Sequence, residues 1–303
     1  MKRIDFIKKS VVAGAVLGSG SLFGRSFRVV NDKSKKADST LTILHTNDTH
    51  SRLDPFPKDS GYRSGMGGVP RRATLIKLLK ERNPNTLVLD AGDVFQGTPY
   101  FNFYEGKLEY ETMSMMGYDY GTLGNHDFDL GTDKLLKAME SLNFKMISSN
   151  YKSDIPEFKK SVLENEVIER EGIKIGLFGL GISFKGLVSE ESHKGVKELN
   201  RYKTAKEQVK YLKEEKKVDF VILISHLGVD GDEKVAKSVE GIDLIVGGHS
   251  HTKLDKPLIV NETMILQAAA NGIFLGKLDL NFNHKKLSSY SYQLVPVKED
   301  TKL

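Results

Sequence analysis

The sequence predicts a single α/β domain, and two observations carry that expectation. Short apolar runs alternate with amphipathic stretches from residue 41 to residue 246 and give way to a β-rich end, the order expected of strands interleaved with helices. Five polar stretches each follow one of the apolar runs: Asp48-Thr49-His50, Gly92-Asp93, Gly124-Asn125-His126-Asp127, Ser225-His226 and Gly248-His249-Ser250-His251. Strand ends of an α/β sheet open onto one shared crevice, so residues as far apart in the chain as 48 and 251 can meet there.

Taken in order, residues 41–44 open the fold as a strand. Residues 51–68, with Pro55, Pro57 and several glycines, form a long loop at the mouth of the crevice, where loops commonly bind or gate. Residues 70–80 place Leu75, Ile76, Leu78 and Leu79 after a proline in the first turn and read as a helix. Residues 87–90 are a buried strand delivering Asp93. Residues 108–116 read as a helix, and 118–123 as an extended run delivering Asn125. A helix over 134–142 precedes a strand at 145–148. Residues 173–180 form a strand, 202–216 a charged amphipathic helix, and 220–224 a wholly apolar strand that ends at His226. Residues 235–239 are helical, and 244–246 deliver His249 and His251. Segments 263–269, 276–282 and 289–297 alternate in polarity like antiparallel strands. No internal repeat and no second domain is evident.

The five polar stretches offer oxygen from Asp and Asn and nitrogen from His, and the chain has no Cys. Mixed N/O sets favour divalent Zn, Mn, Fe, Co or Ni over Cu(I) or iron–sulfur clusters. Asp48, His50, Asp93, Asn125, His226, His249 and His251 make a candidate donor set. It exceeds the roughly four to six donors that one cation takes, so two cations sharing a bridge are expected.

In order and type these stretches resemble the calcineurin-like metallophosphoesterases. The variants Leu44-His45-Thr46-Asn47-Asp48-Thr49-His50, Gly124-Asn125-His126-Asp127-Phe128-Asp129 and Gly247-Gly248-His249-Ser250-His251 are similar to the 5′-nucleotidase branch. The resemblance implies a four-layer α-β-β-α sandwich, two packed sheets flanked by helices. It implies that Asp48, His50, Asp93 and His251 form one metal site and Asn125, His226 and His249 the other, with Asp93 bridging. Two cations so placed lower the pKa of a shared water, and the resulting hydroxide attacks phosphorus in line without a covalent phospho-enzyme. By the same resemblance His126 binds no metal; oriented by Asp129, it stabilises the transition state or protonates the leaving alkoxide. Asp127 is expected in a supporting or structural role, and His45 as a hydrogen-bonding support. The implied substrate is a nucleotide or related phosphate ester, with cyclic nucleotides and phosphodiesters as the wider alternative. 5′-Nucleotidases usually add a C-terminal domain that clamps the base, and the chain stops where that domain would begin. The alternative expectation is therefore a separate nucleoside-binding subunit.

Outside these motifs, Arg71 and Arg72 are expected on a solvated helix face, and His193 and His284 on the surface. Gly124, Gly247 and Gly248 are expected to let the backbone turn sharply. Phe95, Tyr100, Phe101, Phe103 and Tyr104 either line the pocket wall or serve packing or a partner interface.

The formal net charge is +5, but residues 1–40 hold nine Lys/Arg against three Asp/Glu, leaving 36 against 37 for the remainder. A near-neutral body implies no general nucleic-acid-binding surface. Residues 1–25 read as an export signal: Lys2, Arg3, Lys8 and Lys9 precede an apolar stretch over 11–23 that is too short for a comfortable membrane span. The run from Arg3 to Lys8 resembles the twin-arginine motif, with Ile4 where the second Arg would stand, so Tat-like and Sec routes both stay open. A periplasmic or extracellular location is expected, with an uncleaved anchor as the alternative. The expected division is export signal 1–25, polar linker 26–40, catalytic domain 41–297 and tail 298–303.

Overall fold

A computed structural model of the protein describes residues 37–301. The expected export signal and most of the expected linker lie outside the described residues. The strands are β1 (Ser39–Thr46), β2 (Thr86–Asp90), β3 (Tyr120–Gly121), β4 (Lys145–Ile147), β5 (Tyr151–Ser153), β6 (Val162–Leu163), β7 (Asn165–Arg170), β8 (Ile173–Leu180), β9 (Val196–Glu198), β10 (Phe220–Ser225), β11 (Leu244–Gly247), β12 (Leu258–Val260), β13 (Thr263–Leu266), β14 (Phe274–Asn283) and β15 (Lys286–Pro296). One large sheet runs β15-β14-β1-β2-β3-β4-β6 and the second β12-β13-β11-β10-β8-β7, while β5 and β9 pair by themselves.

Side-chain alternation along each strand explains how the sheets stack. Leu41 and Ile43 of β1 and Leu87 and Leu89 of β2 face inward, against Ile175, Leu177, Ile222 and Ile224 of the second sheet. Leu44 and Val88 point the other way and pack on Ile76, Leu79, Tyr110 and Met113 of helices Val69–Arg82 and Lys107–Met116. On the far side, Phe178, Val221, Leu223 and Ile245 cover Ala205, Val209, Val235 and Ala236 of helices Arg201–Lys210 and Val229–Ser238. Three apolar seams thus separate four layers, helix, sheet, sheet and helix. Each fully buried aliphatic side chain contributes about 1.5–3 kcal/mol to holding them together.

The expected strands and long helices form, with shifted ends and three informative departures. The extended run at 118–123 reduces to Tyr120–Gly121, although the Asp119 and Thr122 N–H groups still bond to Val88 and Asp90 carbonyls. The charged helix expected over 202–216 stays α-helical only to Lys210 and widens into a π-turn over Tyr211–Glu215. β13 runs parallel to β11 and antiparallel to β12, so the expectation of purely antiparallel tail strands holds only for the β14–β15 hairpin. A two-residue alternation is the same in parallel and antiparallel ladders, so it could not set direction.

Arg72 is a further correction. It is 2% exposed, because residues 72, 75, 76 and 79 form the buried stripe of helix Val69–Arg82 and that spacing faces the sheet. Arg71 is half-buried, and its Nη1 donates to the Gly65 carbonyl at 2.6 Å. His284 lies on the surface, whereas His193 is half-buried with its ring stacked 4.3 Å from that of Phe184. Among the described residues no helix is long and apolar enough to cross a membrane.

Candidate metal centre

β1, β2 and β3 run parallel in the first sheet, as do β8, β10 and β11 in the second. Their carboxy ends therefore open on common edges, and the five polar stretches follow five of those ends. Asp48, His50 and His251 offer donor atoms that all lie within 4.8 Å of one another, and Asp93, His226 and His249 do the same. Asn125 joins the second set, its Oδ1 3.0 Å from His249 Nδ1. The sets interlock, since the His249 N–H donates to both Asp48 carboxylate oxygens at 3.0 and 2.9 Å. All seven side chains singled out in the sequence thus meet in one crevice.

The backbone there is unusual. Asp48, His50, Asp93, His249 and His251 adopt φ of 49°, 47°, 54°, 71° and 53°. Left-handed conformations cost non-glycine residues about 1–3 kcal/mol each and persist only where the surroundings enforce them. Such a concentration of strain on donor residues points to function. Gly124 and Gly248 do not have positive φ, contrary to the expectation of sharp glycine turns. Their role is close approach: a Cβ on Gly124 would strike the Asp93 carboxylate and the His226 ring, and one on Gly248 would meet Ala91 O at 2.7 Å and His226 Nδ1 at 2.9 Å.

The donor chemistry fits cations. His226 Nδ1 lies 2.6 Å from the Ala91 carbonyl and His50 Nδ1 lies 3.2 Å from that of Phe95. A carbonyl only accepts, so these nitrogens carry a proton and each Nε2 turns inward, where it can bind a cation once its own proton has left. His50 Nε2 then stands 3.0 Å from His251 Nε2, two imidazole apices facing each other as they would around a shared cation. His226 Nε2 is fully buried with no partner of hydrogen-bonding geometry, 3.1 Å from Asp93 Oδ2. Burial lowers His226, but the charges of Asp93 and Asp48 outweigh it and push the imidazole up to about 10. Burial raises Asp93, yet His226, His126 and His50 hold it well below the usual carboxylate range. The site calls for positive charge at its centre.

His126 stands on a short turn over His126–Phe128, about a third exposed, with Nδ1 2.9 Å from Asp129 Oδ2. That hydrogen bond raises its pKa against the effect of partial burial. Its ring centroid lies 5.4 Å from that of His50, so the imidazole borders the donors. His45, expected as a support for the ligands, shares its strand face with Leu41 and Ile43 and turns into the seam between the sheets. Its Nε2 lies 3.3 Å from Tyr292 Oη. Of the aromatic run after Asp93, Phe95 and Phe101 are core residues packed on each other, with Phe95 also against Tyr110, whereas Phe103 is 82% exposed.

Two supporting residues escaped the sequence reading. Asn47 donates to Asp48 Oδ2 at 2.6 Å and accepts the Ala268 N–H at 2.8 Å, pinning β1 to the turn after β13. Gln267 donates to the Gly248 carbonyl at 2.7 Å and accepts Ser250 Oγ at 3.0 Å. Gln267 directly follows β13, so the strand-end rule that singled out the other stretches could have found it too.

Residues 41–253 match the model of a family described as calcineurin-like phosphoesterase. The trifunctional nucleotide phosphoesterase protein YfkN of Bacillus subtilis (strain 168) is 32% identical over 86% of this chain and 20% of its own length. The 5′-nucleotidase of Diplobatis ommata is 32% identical over 90% of this chain and 51% of its own. The crystal structure of a 5′-nucleotidase precursor from Thermus thermophilus superposes with a TM-score of 0.77 at 34% identity, covering 85% of this chain and 54% of that one. The chain spans about half the length of the last two relatives and a fifth of the first. With the family model matched across most of the folded region and the same fold in a solved relative, the chain belongs to the calcineurin-like phosphoesterase family.

Proposed function

We propose that the protein hydrolyses phosphate esters, with nucleotides as the substrate class, using two divalent cations held between its sheets. The observation that carries this reading is the interlocked pair of donor sets, Asp48, His50 and His251 beside Asp93, His226 and His249. Asp93 would serve both cations and Asn125 would complete the second set. When bound, the cations would polarise phosphoryl oxygens and lower the pKa of water toward neutrality. The mixed nitrogen and oxygen donors suit Zn, Mn, Fe or Co.

The chain's own residues supply the rest. Asp129 accepts the Nδ1 proton of His126 and raises the imidazole's pKa. The protonated Nε2 edge can then stabilise charge on the phosphoryl group or deliver a proton to the departing alkoxide oxygen. No side-chain nucleophile is required. The basic-then-apolar residues 1–25 support export to the periplasm or outside the cell.

Phosphate release measured across nucleoside monophosphates, cyclic nucleotides and simple aryl esters, with metal analysis of the same sample, tests the reading. The expected result is two cations per chain and metal-dependent release from AMP. Selectivity of the isolated chain for AMP over aryl esters would remove the need for a separate nucleoside-binding subunit. Absence of metal-dependent release from every ester would sink the proposal.

A further inference from the structure

We propose that Asp127 is a positioning residue that sets the conformation of the turns carrying the candidate metal ligands, and through them the affinity for both cations. The inference rests on the reading of the site given above, but its geometry stands independently. Asp127 is 1% exposed and contributes no donor to either set. Its Oδ2 accepts the N–H groups of Asp93 at 3.1 Å and Gly124 at 2.8 Å. Its Oδ1 accepts those of Val94 at 3.0 Å and Phe95 at 3.3 Å. One carboxylate therefore gathers three consecutive N–H groups of the turn after β2 and the N–H beside Asn125 after β3.

The carbonyls of the same turn face the opposite way. Gly92 O accepts the Asp48 N–H at 2.8 Å, Asp93 O that of His50 at 3.1 Å, and Val94 O that of Ser51 at 2.8 Å. Phe95 O receives His50 Nδ1 at 3.2 Å. The turn over residues 92–95 is thus a plate with its N–H groups bound to Asp127 and its carbonyls bound to the turn that carries Asp48 and His50. Asp93 sits in that plate at φ 54° and Gly92 at φ 86°, and four N–H groups converging on one buried carboxyl group hold such a backbone in place. Asp127 in this way reaches Asp48, His50, Asp93 and Asn125 without touching a cation. A group holding ligand residues from behind typically changes metal affinity by about 10–100-fold when removed.

The test uses the full chain and three variants. Asp127→Asn keeps the shape but turns an NH₂ group toward backbone N–H donors. Asp127→Glu keeps two carboxyl acceptor oxygens. Ile222→Ala, in the sheet interior, controls for general destabilisation. Amide hydrogen exchange is read on metal-free protein, and Mn²⁺ affinity by calorimetry. Asp127→Asn is expected to lose exchange protection at Asp93, Val94, Phe95 and Gly124 and to bind Mn²⁺ about 10–100-fold more weakly. Asp127→Glu is expected to recover most of both, and Ile222→Ala to bind as wild type. If Asp127→Asn does not fold, a folded Asp127→Glu with wild-type Mn²⁺ affinity supports the assignment and a folded one without binding overturns it. Unchanged protection and affinity in Asp127→Asn overturn it, as does equal weakening by Ile222→Ala. Failure of the wild type to bind Mn²⁺ would instead count against the proposed function, with the exchange data still deciding the role of Asp127.

Discussion

Replacing His126 by Ala separates the proton chemistry from the metal site. The His126 side chain is about a third exposed, and its Nδ1 is bonded only to Asp129. Its backbone N–H, by contrast, donates to Asp93 Oδ1 at 2.8 Å, and alanine retains that N–H. The substitution therefore leaves Asp93 anchored and both donor sets intact. Loss of a general acid typically costs about 10²–10⁴-fold, equivalent to about 2.7–5.5 kcal/mol of barrier. kcat for AMP is expected to fall by about that factor, with metal content unchanged. Leaving-group dependence then distinguishes the two roles open to the imidazole. An ester of p-nitrophenol, whose anion departs without protonation, should lose much less than AMP if His126 protonates the leaving oxygen. Equal losses on both esters would place His126 on the phosphoryl oxygens instead. An unchanged kcat for AMP, or loss of bound metal, would refute the reasoning.

Further outcomes follow from the same geometry. Asp129→Ala removes the hydrogen bond and the charge that raise His126; because a raised imidazole stays protonated to higher pH, the alkaline fall of kcat should move to lower pH in the variant, and an unmoved limb would exclude the pairing. Asp93→Asn should lose metal, judged by elemental analysis, and nearly all turnover; a variant keeping both cations would exclude a shared carboxylate. Adding Mn²⁺ to metal-free protein should raise the unfolding free energy by about 2.7 kcal/mol for each site at a hundredfold excess over its Kd, seen as a higher Tm in calorimetry; an unmoved Tm would mean that the folded site binds no cation. Burial lowers His45 from 6.5 to about 3, so the unfolded chain binds a proton there that the native state does not. This destabilises the fold as pH drops below 6.5, by up to about 1.4 kcal/mol per unit, and is absent above it. His45→Gln should therefore flatten the acid side of the urea midpoint against pH relative to wild type, and parallel curves would refute the assignment.

The amino-acid sequence by itself determined the order of the main strands and the chemistry that follows five of them. Short apolar runs such as the one in Phe220–Ser225 read as buried strands, and five of them are followed by residues whose common property is the capacity to bind a hard or borderline cation. Local order carried that information, because a strand's edge and its next turn are neighbours in the chain. What the tertiary structure alone decided is which donor atoms lie within reach of one another, which way β13 runs and where Arg72, His45 and Asp127 sit. Arg72 and His45 look like surface or site residues until the buried stripe of one helix and the inner face of one strand are known. Asp127 gains its role only when the turns after β2 and β3 are brought side by side, since hydrogen bonds between residues more than thirty positions apart leave no periodic trace in the chain. Pattern repeats over short distances and so can be read along the sequence; convergence joins distant segments and exists only once the two sheets have packed.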